Sequence, residues 1–595
     1  MAKGKSKKAR SVYSVIIETY RIFLQDITSR WLLMVGLSLV PALVSPFKIY
    51  LERVIFDSAA DASRADMLQD RLPIVFVLAL LVQVAYIISY SIYRCSINYI
   101  GSELEIILQN RLNQKTSKLN LIDFEDSTLY KNIELACNAS RDLRFMIMMF
   151  TSEILVYCIT FLSVSGVLLS YHYSLILMGI LAVFPDIFTK MVQANYQYKS
   201  LNKLQEHARS KTYFEELLTN LAYHKEIRVY GIKDFFVRKW EARKDSYQDE
   251  KRQVSRKDLK ANLLCGMISC IMATGAIVLS VWLLFTEAIS IGEFASALSA
   301  VLLLKANFLR VLNLGLFSIQ CGLKGKYYYS VMDYRERGGK RKEARPSDGI
   351  TLNQVSFSYG PDRKAIDGMS VRLHPHQVVA VVGKNGAGKS TFSKLLLGLY
   401  HPTDGAVCYG EENIGNISEE DLYRFSSVVF QDFCKYYLSI GENVAISASE
   451  EEKNVWNIVQ LLSDLDFKIK GEALREEHLE TGLGVEFGGM ELSGGNWQKL
   501  AIARGLYRAH EFIVFDEPTS ALDPLVEEKI FKEMLGKYPN TAKVFITHRM
   551  STAASANLII VIDKGRIAEL GTHRELMEKG GIYAELWGTQ AGWYK

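Results

Sequence analysis

Gly383-Lys384-Asn385-Gly386-Ala387-Gly388-Lys389-Ser390-Thr391 combines residue types and spacing suited to gripping phosphate. Four residues separate two glycines, and Lys-Ser follows at once, which is the P-loop pattern. Gly383, Asn385, Gly386 and Gly388 would let backbone N–H groups curl around phosphate oxygens. Lys389 would reach the β- and γ-phosphates, and the Ser390 hydroxyl would ligate Mg²⁺, with Thr391 beside it. A second chemical cluster lies downstream, where the apolar run Phe512-Ile513-Val514-Phe515 ends in Asp516-Glu517. Asp516 would hold Mg²⁺ directly or through water, and Glu517 would polarise an attacking water as general base. A third is Leu492-Ser493-Gly494-Gly495-Asn496, whose hydroxyl and glycine N–H groups at a helix start offer another anion-binding surface.

The flanking sequence supplies elements to position these groups. Val379-Ala380-Val381-Val382 reads as a buried strand before the P-loop, and Ser390 through Leu397 reads as the helix after it. A helix is expected through Lys499-Leu500-Ala501-Ile502-Ala503-Arg504-Gly505-Leu506 behind the serine-glycine turn. Two phosphate-binding surfaces serve one γ-phosphate only if they close on nucleotide from opposite sides.

The rest of the chain differs in character. With 49% hydrophobic residues in 595, it is too long for one domain and too apolar for an ordinary soluble enzyme. Most long apolar runs precede residue 325. Six runs are long enough to span a bilayer, where about 20 residues are needed. They begin near Trp31, Leu72, Phe145, Tyr173, Leu263 and Gly292. Pro41, Pro46 and Pro185 fall inside them, which membrane helices tolerate. Spans three and four are joined only by Tyr171-His172-Tyr173, and spans five and six by Thr286-Glu287-Ala288-Ile289-Ser290. By contrast, about 45 residues lie between spans two and three and about 70 between spans four and five. Both segments are helical in pattern and rich in Lys and Arg, which places them and both termini in the cytoplasm. The net charge of +5 is small for this length and gives no argument for nucleic acid. Eight cysteines occur without a Cys-x-x-Cys pair, so no disulfide framework is implied.

These features divide the chain into a basic cytoplasmic segment (1–25), a six-span membrane domain (26–335), a charged linker (336–348) and a nucleotide-binding domain (349–595). The fold class expected is an all-α six-helix transmembrane domain followed by an α/β P-loop domain with a helical subdomain.

In their order and spacing the motifs resemble those of the ATP-binding cassette family, over nearly the whole chain. Leu492 to Asn496 is similar to the family's signature loop, with Asn496 where Gln is usual. The resemblance implies that Tyr359 stacks on adenine and that Gln431 touches Mg²⁺ and the membrane domain. It further implies that Asp523, in Ser520-Ala521-Leu522-Asp523, belongs to the D-loop and that His548 meets the γ-phosphate. Glu517 and His548 are both intact, which implies a hydrolysing site.

Six spans followed by one cassette resembles an exporter-type half transporter, which implies a homodimer with each P-loop facing the other copy's signature loop. The expected setting is a bacterial inner membrane, with ATP and Mg²⁺ as cofactors and the segments around Phe124-Glu125-Asp126 and Lys225 to Gly231 as coupling elements. For the cargo, Lys305, Asn307 and Asn313 of the sixth span are candidate cavity residues, with Glu153 as counter-charge. The alternative for Lys305 is snorkelling to the inner surface, with Arg310 at the interface. Trp497-Gln498 after the signature resembles peptide and lantibiotic exporters, so peptide export leads and multidrug or lipid export follows. A non-transport ATPase is disfavoured by the six spans.

Overall fold

The computed structural model describes residues 10–60, 65–339, 345–360, 363–448, 453–508, 510–518, 524–536 and 538–591. The basic stretch before Arg10, linker residues 340–344 and the D-loop residues Ser520 to Asp523 lie outside the described residues. The chain forms two compact units, Gly4–Ser117 with Ser127–Tyr334, and Arg335–Lys595 with Lys118–Asp126.

The first unit is helical. α1 (Val12–Ala60), α2 (Ala65–Ser117), α3 (Ser127–Met148), α4 (Ile154–Tyr171), α5 (Tyr173–Leu181), α6 (Phe184–Thr219), α7 (Leu221–Val229), α8 (Lys233–Phe285) and α9 (Ile291–Met332) follow in order. Six candidate membrane spans occur among the described residues, at the six expected places. The helices run far past the apolar runs: α8 has 53 residues, about 80 Å at about 1.5 Å per residue.

Lipid offers no hydrophobic driving force between helices, so close approach of small residues takes over. Ser269, Ala276 and Ser280 of α8, and Ser296, Ala297 and Ala300 of α9, are accordingly buried. Large residues such as Phe76, Ile271 and Phe285 face outward.

Prolines leave backbone carbonyls without an N–H partner four residues on. Pro46 does this to Ala42, and Thr160 of α4 donates to that carbonyl at 3.5 Å. Near Pro185 the fourth span breaks between α5 and α6, and Ser269 Oγ donates to the Ala182 carbonyl at 2.8 Å. At the start of α9, Ser290 and Glu293 form a reciprocal cap. There the Gly292 N–H donates to Asp57 at 2.7 Å, and a Cβ on Gly292 would lie 2.2 Å from the Arg53 carbonyl oxygen.

In the second unit, β1 (Ile350–Gly360), β2 (Arg363–Leu373), β4 (Asp404–Tyr409) and β5 (Glu412–Asn413) make an antiparallel sheet in the order β2-β1-β4-β5. β3 (Val378–Val382), β6 (Ser426–Val429), β9 (Phe512–Asp516), β10 (Ala542–Ile546), β11 (Leu558–Asp563) and β12 (Arg566–Gly571) make the second sheet, ordered β12-β11-β3-β10-β9-β6. From β11 to β6 it is parallel. β3, β9 and β10 are almost wholly buried, which is why they read as unbroken apolar runs rather than alternating ones.

A helical layer holds α12 (Ile440–Ala445), α13 (Val455–Asp464) and α14 (Gly494–Tyr507) around Trp497, with the short hairpin β7 (Lys468–Ile469) and β8 (Glu472–Ala473). α10 (Lys389–Leu396) follows β3, and α11 (Glu419–Arg424) precedes β6. α15 (Pro524–Gly536), α16 (Met550–Ala554), α17 (His573–Lys579) and α18 (Ile582–Ala591) complete the chain.

One sequence expectation is revised here. The membrane domain is not continuous over 26–335, because Lys118–Asp126, between α2 and α3, packs with the second unit. Leu119 bridges Glu336, the Arg337 N–H donates to the Lys118 carbonyl at 3.0 Å, and Ile122 lies against the core of the sheets. The start of the expected linker is therefore built into the nucleotide unit. The apolar-run criterion could not detect this, since the segment is short and mixed in composition.

Candidate functional site

Three adjacent strands set the site. β3, β10 and β9 are neighbours in register, with Val381 beside Ile546 and Ile546 beside Asp516. The groups that follow them, Gly383, His548 and Glu517, therefore emerge at one edge of the sheet, the C-terminal edge where open α/β sheets bind ligands.

The P-loop turns on glycines. Gly388 caps α10 at φ +110°, and a Cβ on it would sit 2.9 Å from the Ala365 carbonyl oxygen. Gly383, at φ +155°, would bring a Cβ to 2.2 Å from the Ile562 carbonyl oxygen. Only glycine fits either place. Lys384, Asn385 and Gly386 are exposed at the turn. Lys389 is buried and its Nζ donates to the carbonyls of Gly383 and Lys384, at 2.9 and 3.1 Å. Burial holds its pKa below the ordinary lysine range, partly opposed by the carboxylates of Glu517 and Asp516. An ammonium folded back into its own loop is poised for a stronger anionic partner. Ser390 is exposed at the start of α10, and Thr391 is buried behind it.

Asp516 is buried, and its Oδ2 accepts from Ser393 at 3.4 Å while Oδ1 has no partner among the described residues. Burial, with the neighbouring Glu517 charge, pushes its pKa up to about 6. Ser393 Oγ also lies 2.9 Å from the Ser390 carbonyl oxygen, and a buried carboxylate with one bare oxygen near the start of α10 fits a hard divalent cation. Glu517 has φ +47°, which turns its side chain off the strand line, and its N–H is held by the Ile546 carbonyl at 3.0 Å. His548 Nε2 lies 3.0 Å from Glu517 Oε1. Burial and then the Lys389 charge lower the His548 pKa, so at neutral pH the ring is neutral and donates to that carboxylate. The geometry brings Lys389, Asp516, Glu517 and His548 together.

The other candidates are placed as follows. Tyr359 is half-buried on β1, its hydroxyl 3.0 Å from Thr391 Oγ1, with the Arg363 guanidinium 5.5 Å from its ring centre. Gln431 is exposed in the loop after β6. Ser493 caps α14 and accepts from the Asn496 N–H at 3.3 Å, leaving Ser493 and Gly494 exposed and Gly495 half-buried. The Asn496 amide donates to the Lys468 carbonyl at 2.8 Å, so the shorter amide serves as a strut within the helical layer. Trp497 and Gln498 are buried, so they pack the domain.

In the membrane unit the expected cavity set does not assemble. Lys305 is 3.9 Å from Asp186, not paired with Glu153. Glu153 accepts instead from the Tyr157 hydroxyl at 3.3 Å, over whose ring the Arg310 guanidinium lies. Asn307 is buried, Lys305 half-buried and Asn313 exposed, because these spacings put the three on different faces of a helix.

Sequence reasoning missed Asp186, although an acid beside Pro185 inside an apolar run was a readable signal. It also missed Gln590 of α18. That side chain accepts from the Met550 N–H at 2.6 Å and donates to the His548 carbonyl at 3.2 Å, across a cleft of about 310 Å³ that Gly383 and Lys384 also line. No local pattern marks such a contact.

Comparison with known proteins agrees with this geometry. A family model described as ABC transporter matches residues 366–520, and one described as ABC transporter transmembrane region matches 31–306. The chain is an ABC transporter. Its membrane and nucleotide-binding domains make it an integral membrane protein with an ATP-binding domain, consistent with ATP hydrolysis coupled to transport.

The transporter is 29% identical to the subtilin transport ATP-binding protein of Bacillus subtilis, over 80% of this chain and 79% of that one. It is 35% identical to an ATM1-type heavy metal exporter of Novosphingobium aromaticivorans, over 42% of this chain and 40% of that one. Its fold is similar to the structure of a bacterial Atm1-family ABC exporter with ATP bound. That match has a TM-score of 0.80 at 23% identity and covers 96% of this chain and 98% of that one.

Proposed function

We propose that two copies of this transporter hydrolyse ATP to export a lantibiotic-type peptide through a bacterial inner membrane, with the nucleotide domains and both termini in the cytoplasm. The cluster of Lys389, Asp516, Glu517 and His548 carries the hydrolytic part. Lys389 leaves its loop carbonyls for the β- and γ-phosphates. Gly383, Asn385, Gly386, Gly388 and Thr391 line the phosphates, and Tyr359 stacks on adenine. Ser390, Asp516 and Gln431 hold Mg²⁺, which when bound neutralises charge on the phosphates. Glu517 orients and deprotonates the attacking water, while His548 fixes Glu517 and meets the γ-phosphate.

Ser493 and Gly494 are exposed on the surface of the helical layer, with Gly495 half-buried beside them, which suits capture of nucleotide held by a second copy. Asp523 belongs to that same contact. Closing and opening of this pair would drive alternating access in the membrane helices.

Support for a peptide cargo is the similarity to the subtilin transport protein, which runs through both domains rather than the cassette alone. The heavy metal exporter match covers less than half of either chain. A drug or lipid cargo is the second reading, favoured by the Lys305–Asp186 pair that puts both charge signs within the spans. The test is an ATPase assay in lipid nanodiscs with a panel of lantibiotic peptides, hydrophobic drugs and lipids. Stimulation by peptides is expected, and stimulation confined to drugs or lipids would overturn the cargo assignment.

A further inference from the structure

Tyr400 stands just beyond the P-loop helix α10 and is almost completely buried, at 1% exposure. Its ring lies parallel to Phe357, 5.2 Å away with planes 10° apart, and edge-on to Tyr359 at 5.8 Å. Its hydroxyl is the meeting point of two elements distant in sequence. It donates to Glu125 Oε1 at 2.8 Å and accepts from Lys394 Nζ at 3.1 Å. Lys394 is on α10, three residues after Thr391, so both lie on one helix face. Thr391 in turn meets the Tyr359 hydroxyl at 3.0 Å. Glu125 ends the short helical turn Leu121–Glu125, the loop between α2 and α3 that packs with the nucleotide unit.

Burial foremost, and the adjacent carboxylate, raise the Tyr400 pKa far above the ordinary tyrosine value, so the phenol stays protonated. It is thus a fixed donor to Glu125 and a fixed acceptor for Lys394. A phenylalanine would keep the ring contacts and lose both bonds.

We propose that Tyr400 is a positioning residue that makes the 118–126 segment follow nucleotide seating on α10 and Tyr359. Nucleotide that shifts Thr391 and Tyr359 moves Lys394 on the same helix and the ring edge against Tyr400. The phenol passes that movement to Glu125, and the segment continues covalently into α2 and α3 of the membrane unit. This rests on the reading that Tyr359 and the P-loop hold ATP.

Hydrogen–deuterium exchange of the full chain in nanodiscs tests it, with a non-hydrolysable ATP analogue and Mg²⁺ as the probe. In the wild type, nucleotide slows exchange both at 383–391 and at 118–126. In Tyr400→Phe the slowing at 383–391 is retained and that at 118–126 falls about tenfold, the effect of losing a bond to a charged group. Glu125→Ala does the same without touching the core of the nucleotide domain, so a misfolded Tyr400→Phe would not block the test. Glu125→Gln, which keeps an acceptor oxygen, retains most of the response, and a merely structural glutamate would not give that rescue.

Undiminished slowing at 118–126 in both Tyr400→Phe and Glu125→Ala overturns the proposal. So does loss at both segments in Tyr400→Phe, which would make the residue part of the pocket itself. Tyr359→Ala separates the underlying reading: it raises the analogue concentration needed at 383–391. If it does not, the adenine assignment fails while the Glu125 result still decides the role of Tyr400.

Discussion

Glu517 and His548 show how far single residues can be read. A strand ending in Asp-Glu and a histidine after another strand were visible as types; their 3.0 Å pairing needed β9 and β10 to be neighbours. Glu517→Gln is expected to bind ATP normally and lose at least about 100-fold in ATPase rate, the range for removing a general base. ATP binding by equilibrium dialysis beside phosphate release checks both halves, and undiminished turnover would remove Glu517 from the base role. His510 makes a different prediction. It is buried, with Nδ1 2.6 Å from the Arg508 carbonyl oxygen and Nε2 without a partner among the described residues. Burial lowers its pKa to about 4, against an ordinary value near 6.5. In the folded protein it therefore binds a proton only below about pH 4, whereas the unfolded chain binds one below about 6.5. Its contribution is full above about 6.5 and is lost as pH falls toward 4, by up to roughly 3 kcal/mol. Thermal unfolding of the full chain from pH 7 to 4.5 should show a shallower acid loss in His510→Asn than in the wild type. Lys305 marks the limit of residue-scale reading. Its place within a span was readable, but its partner Asp186 depended on how α6 meets α9.

At the scale of elements, periodicity and apolar length located the spans well because lipid imposes a length on every crossing helix. It could not show how the breaks are repaired. Thr160→Val should remove the donor to the Ala42 carbonyl freed by Pro46, at a cost of roughly 0.6 kcal/mol, typical of such bonds in membranes. Thr160→Ser should restore most of it, measured as a shift in the thermal midpoint of purified protein. Nothing in the sequence marked α18 as a support for the site. Gln590→Ala frees both the His548 carbonyl and the Met550 N–H. The expected result is a fall in kcat of about 3- to 10-fold with KM for ATP unchanged, the pattern of a lost transition-state constraint. An increase in KM alone would show that α18 shapes the nucleotide pocket rather than the histidine.

For the whole molecule, the division into a membrane half and a nucleotide half was readable from composition, since apolar runs and α/β alternation differ so strongly. The exception, Lys118–Asp126, was marked only by the family resemblance, which made Phe124-Glu125-Asp126 a coupling element. The backbone bridges and few side chains that join it to the second unit have no sequence period. The exposed signature loop predicts that the working particle holds two chains. Light scattering of active, detergent-purified protein should give twice the 67.4 kDa chain mass, and a fixed monomeric mass would refute it. Mixing wild type with Glu517→Gln subunits should then lower activity out of proportion to the mutant fraction.

One further consequence comes from α8, whose 53 residues contain no proline. Mechanically it is a stiff beam of about 80 Å, and a tilt of about 5° at one end displaces the other by about 7 Å. Such a beam delivers motion in proportion to its straightness. A single proline set midway, near Arg256, would act as a hinge, letting one end swing while the other stays still.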